Sequence, residues 1–125
     1  MEPYLILRTA VVLLAISAVG GLTMAGIRFG GKPRPPTWLA MLHGFLSAAA
    51  VTLLAYAAFT VGIPMYAQWA LILFVLAALG GVFMNLNYHW KLLPLPKWLV
   101  LVHAAIAVTG FVLLIAATWS MAPNG

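Results

Sequence analysis

Two stretches decide how this chain is read: PTWLAMLH, Pro36 to His43, and PKWLVLVH, Pro96 to His103. Each opens like the entry to an apolar helix, with proline before the first turn and tryptophan at the level of lipid headgroups. Each ends in an imidazole about two turns into hydrocarbon. The surrounding chain is 66% hydrophobic and 6% charged over 125 residues, a composition that would leave a water-soluble domain covered in apolar patches. Four apolar runs, roughly Leu5 to Ile27, Trp38 to Val61, Ala67 to Tyr88 and Trp98 to Trp119, each approach the ~20 residues that cross a ~30 Å hydrocarbon core. The first run lacks a basic region before it and has a full-length counterpart later in the chain, so it is expected to stay as a span rather than be removed as a signal peptide.

Sliding the chain by sixty residues places Gly20 and Gly21 over Gly80 and Gly81, Met24 over Met84, Pro36 over Pro96, Trp38 over Trp98 and His43 over His103. The 53 gapless positions from Arg8 to Thr60 carry thirteen identities. Leu and Ala pair by chance in such a composition, but the shared Gly-Gly, Pro-x-Trp and His do not follow from composition. The expected fold is an all-α membrane protein, a four-transmembrane-helix up-down-up-down bundle made of two parallel two-helix repeats. A single integral membrane domain over residues 1–125 is expected, with repeat one at about 5–61 and repeat two at about 67–119.

Arg28, Lys32, Arg34, Lys91 and Lys97 fall in the connections after the first and third runs, while Arg8 alone lies near the other side, beside Glu2. The excess of cations predicts that those two connections are cytoplasmic and that both termini lie outside. The basic balance reads as topology and contact with anionic lipid, not as nucleic-acid binding. With no cysteine, disulfides, iron-sulfur clusters, thiolate zinc sites and thioether-linked haem are excluded. Glu2 is the only acidic side chain, which removes carboxylate metal sites and acid-base pairs. Gly30 to Pro36, GGKPRPP, lacks the G-x-x-x-x-G-K-[ST] pattern of a phosphate loop and reads as a stiff turn.

In the expected bundle the second and fourth helices are diagonal, which puts His43 and His103 at one depth facing each other. Neighbouring helices lie about 8–10 Å apart, so diagonal axes are roughly 12–14 Å apart. An iron between two imidazoles fills that gap, and haem b with two axial histidines is the cofactor expected, one per chain. Ser47, Ala50, Ala107 and Gly110 follow the histidines on the same faces, and Gly20, Gly21, Gly80 and Gly81 come from the other two helices. These small residues are expected to leave room for a flat macrocycle, with Met24 and Met84 lining it. Arg28, Arg34, Lys91 and Lys97 are expected to reach its propionates, arginine being suited to bidentate contact. Glycine and alanine also serve close helix packing in membranes, methionine fills space, and an imidazole can simply bond a carbonyl. His89 sits over Phe29 in the sixty-residue register and so has no twin. It is read as interfacial, able to bond a propionate or handle a proton.

This pattern resembles the small membrane-embedded b-type cytochromes, as in the bacterial cytochrome b561 group and the membrane subunits of quinone-linked dehydrogenases. The resemblance covers the whole chain as architecture and rests on two residues as motif. It implies axial ligation by His43 and His103. The b561 pattern generally carries two ligand pairs, whereas the outer half here has no histidine, implying at most one haem. The chain also resembles short uncharacterised bacterial four-helix proteins with a proline-rich first loop followed by W-L-x-x-L-H-G. The resulting expectation is a cytochrome transferring single electrons, with a quinone near Trp38 and Trp98 or a cytoplasmic reductant as partner. A homodimer or a larger membrane complex is a further partner to expect. The competing expectation is a cofactor-free accessory or assembly subunit of a membrane complex.

Overall fold

Prolines start the helices, and glycines stop the first two. Glu2 or a proline precedes every helix, because proline at or before the first turn forfeits only an N–H that has no helical partner. The computed structural model describes residues 2–122 and contains α1 (Pro3–Phe29), α2 (Thr37–Thr60), α3 (Met65–Met84) and α4 (Lys97–Ser120). α1 and α2 end against Gly31 and Gly62, whose φ angles of 111° and 81° lie where a Cβ is disfavoured. All four helices are long and apolar enough to cross a bilayer. The protein is a multi-pass membrane helical bundle, up-down-up-down, in which α1 packs chiefly on α2 and α3 chiefly on α4.

Positions sixty apart carry nearly the same burial. The inward stripe of α1, Leu7, Ala10, Leu14 and Ser17, recurs in α3 as Ala67, Ala70, Phe74 and Ala77; Ala50, Leu54 and Ala57 of α2 recur in α4 as Gly110, Leu114 and Ala117. These residues form one apolar core with Ile6 and Ile63. It occupies only the end of the bundle where α1 begins and α4 finishes, here called the terminal end. Toward the other, basic end the same stripes continue as Gly21, Met24, Gly81, Met84, His43 and His103, all only partly buried. A close-packed half thus adjoins a half with no comparable core.

Sixty-residue correspondence fails at one place. After Met84 the chain makes a π turn, Asn85–His89, closed by Trp90 N–H to the Asn85 carbonyl at 2.9 Å. A π turn accommodates one extra residue. Through the turn that follows, and until Pro36 and Pro96 restore sixty, the matching offset is sixty-one: the Lys32 N–H bonds the Ile27 carbonyl around Gly31, and the Leu93 N–H bonds the Tyr88 carbonyl around Leu92, which holds φ 56°. His89 therefore stands structurally where Arg28 stands, not over Phe29.

Candidate functional site

His43 and His103 meet across the bundle, with ring centroids 6.2 Å apart and planes 71° from parallel. The glycine pairs make this approach possible. A Cβ on Gly21 would lie 3.0 Å from His43 Cε1, and one on Gly81 would lie 3.3 Å from His103 Cε1. Gly20 lies against His43 Cβ and Leu39, and Gly80 against His103 Nδ1. The glycine faces expected to admit a macrocycle are notches that admit the imidazoles themselves.

The two rings differ at their Nδ1 sides. His43 Nδ1 lies 2.8 Å from the Ser17 carbonyl; a carbonyl can only accept, so Nδ1 carries the proton and Nε2 presents a lone pair. Ser17 Oγ, itself 2% exposed as a residue, donates to the His43 carbonyl at 3.1 Å and lies 2.6 Å from Ser47 Oγ and 3.0 Å from His43 Nδ1. Ser47 thus belongs to this serine brace. Ala77 and Ala107 replace both serines in the second hairpin. There His103 Nδ1 faces the Ala77 carbonyl, yet it is buried without a closed hydrogen bond. Neither Nε2 has a hydrogen-bond partner among the described residues, and neither is sealed off as His103 Nδ1 is.

The expected space at Gly110 is not there. Phe74 packs on it, with ring atoms 3.1 to 3.3 Å from where a Cβ would stand, because the terminal-end core extends to that level. Ala50 is wholly buried in the same core.

The cations also have occupations that sequence alone does not reveal. Arg28 Nε donates to the Leu95 carbonyl and Arg34 Nη1 to the Leu92 carbonyl, both at 2.8 Å. The Leu95 N–H bonds the Pro33 carbonyl at 3.1 Å, and His89 Nε2 lies 3.1 Å from Thr37 Oγ1. The two basic connections are laced into a polar cap across the hairpins. Arg28 and His89, equivalent once the π turn is counted, each supply one crossing bond. Lys97 stands 5.6 Å over the Phe29 ring, a cation-π contact, while Lys91 is exposed.

Two imidazoles with open Nε2 atoms, one of them held at Nδ1 by a carbonyl, are suited to ligating a metal between them. A metal–imidazole bond of ~2.0 Å plus ~1.1 Å to the ring centre gives about 6 Å for two rings on one metal, close to the observed separation. Hydrogen bonds on the far nitrogen are what orient ligating histidines elsewhere. The residues therefore fit a bis-histidine group in ring spacing, and His43 also in tautomer. Among the described residues no cluster of three or more His, Cys, Asp or Glu side chains is assembled, so two imidazoles are the donor set on offer. Comparison of the chain with protein-family models, curated proteins and solved structures gives no match.

Proposed function

We propose that this protein is a membrane-embedded b-type cytochrome that binds one haem through His43 and His103 and passes single electrons. The observation that carries the reading is the 6.2 Å pair of half-buried imidazoles whose Nε2 atoms have no hydrogen-bond partner among the described residues. A metal given only two protein donors needs its remaining coordination from elsewhere, and a tetrapyrrole supplies four nitrogens. Bound there, it would supply one-electron exchange. The protein's own part is to fix the rings: Ser17 holds His43 in the Nδ1–H tautomer, Gly21 and Gly81 let both rings approach, and the terminal-end core excludes water from one side. Lys32, Arg34 and Lys91 offer positive charge at the basic end, which we place on the cytoplasmic side of a bacterial inner membrane, with a quinone or a cytoplasmic reductant as redox partner.

A second reading, a cofactor-free accessory subunit, draws on Phe74 filling the Gly110 notch and on the closed Ser17–Ser47 pair, both of which pack the bundle without a ligand. Expression with abundant haem separates the two. The cytochrome reading expects a red protein whose Soret band shifts on dithionite reduction. A colourless, folded protein replaces it with the accessory-subunit reading.

A further inference from the structure

The place where the second hairpin departs from the first is also where the protein opens a cleft. The π turn Asn85–His89 carries His89 inward until it is 7% exposed, and Leu92, a non-glycine residue at φ 56°, closes the turn. π turns and left-handed non-glycine residues are sparse and concentrate at functional sites. Both occur here within a single loop. Beside them is a cavity of about 630 Å³, whose lining includes Lys32, Arg34, Thr37, His89 and Leu92.

Its chemistry is one-sided. His89 and Thr37 are bonded to each other, and Arg34 commits one nitrogen to Leu92. Among the described residues, the rest of that guanidinium and the Lys32 ammonium have no partner. The one acidic side chain of the chain, Glu2, is the N-cap of α1, at the terminal end of the bundle. Two cations, a hydroxyl and an imidazole therefore converge on a cleft that no acidic side chain faces, at the depth marked by exposed Trp38 and Trp90. Basic pockets at this level of a membrane protein suit lipid headgroups.

We propose that this cleft is a binding site for a phosphate-bearing anion, with Arg34 and Lys32 supplying charge and the His89–Thr37 pair supplying neutral hydrogen-bonding groups. A phosphate of an anionic phospholipid and free inorganic phosphate share that chemistry. The site is separate from the His43–His103 pair and does not depend on what those histidines bind.

The test measures thermal stabilisation of the detergent-purified full-length protein, and lipid retained per chain, on adding phosphatidylglycerol, phosphatidylcholine, inorganic phosphate or a short-tailed neutral quinone. Variants are Thr37→Val and His89→Phe, which leave the formal charge unchanged, Lys32→Gln, and as controls Lys91→Gln and Lys97→Gln. The proposal expects phosphatidylglycerol to stabilise, about one molecule to be retained per chain, and Thr37→Val and Lys32→Gln each to weaken binding about tenfold, the loss of one hydrogen bond to a charged group. The Lys91 and Lys97 variants should bind as wild type. Saturating stabilisation by inorganic phosphate, lost in the same variants, also supports the site and names the free anion as its occupant. Equal weakening in the lysine controls would reduce the effect to diffuse surface charge and overturn the proposal. Stabilisation by the quinone alone, or no preference for phosphatidylglycerol over phosphatidylcholine with no effect of phosphate, would overturn it too. Because Thr37→Val is nearly isosteric, it remains informative if His89→Phe fails to fold.

Discussion

The terminal half of the bundle is held by apolar packing, and the basic half by polar contacts around two imidazoles. Leu7, Leu54 and Leu114 are completely buried, each matched to a neighbour as small as Ala10, Ala57 or Ala117. Nearer the basic end on the same stripes, the protein offers glycine notches and a serine brace, and beyond them a cap of loop hydrogen bonds. In a membrane the lipid is as apolar as leucine, so packing density rather than hydrophobicity decides stability. The contrast teaches that one half fixes the fold and leaves the other free to hold chemistry.

The sharpest way to break this contrast is to cavitate both halves. Leu54→Ala should cost about 2–4 kcal/mol in unfolding by SDS titration, whereas Leu39→Ala, beside Gly20 in the basic half, should cost about 1–2 kcal/mol. Equal losses would mean that the basic half is packed like the other.

Next comes a graded series at glycines. Gly21→Ala meets His43 at 3.0 Å, Gly81→Ala meets His103 at 3.3 Å, and Gly26→Ala meets nothing within 4 Å. The first should destabilise by about 1–3 kcal/mol, the second by less. Gly26→Ala should stabilise α1 by a few tenths to about 1 kcal/mol. Any other order would show that the imidazoles do not occupy these notches.

Smaller effects compare the hairpins. Ser17→Ala gives the first hairpin the alanine of the second, removing the hydroxyl but keeping the carbonyl on His43 Nδ1. A loss of about 1 kcal/mol is expected, as for one hydrogen bond, measured by the same titration. Lys97→Ala removes an exposed cation-π contact to Phe29 and should cost at most about 0.5–1 kcal/mol.

Much of this was legible in the sequence. Apolar runs set the four spans, although α1 extends to Pro3 and Phe29, beyond the Leu5 to Ile27 expected. The shared register of His43 and His103 announced that they would meet. What the sequence could not display were contacts between loops, since nothing periodic predicts that Arg28 will seek the Leu95 carbonyl or Arg34 that of Leu92. The π turn was also hidden: one extra residue leaves no mark in an apolar-polar pattern, and it disguised Arg28 as unrelated to His89. Ser17 was detectable as a polar residue one turn from Gly21 on the inward face. Its role as the partner of His43 needed the helix spacing.

The central claim concerns the two imidazoles, and haem content per chain tests it most directly. Pyridine haemochrome of the purified wild type should give one haem b per chain. His43→Ala and His103→Ala should each abolish the bis-histidine spectrum, and His89→Ala should leave it in place. A folded wild type without haem after expression with excess cofactor, or haem fully retained with an unchanged spectrum in both single-histidine variants, would contradict the account.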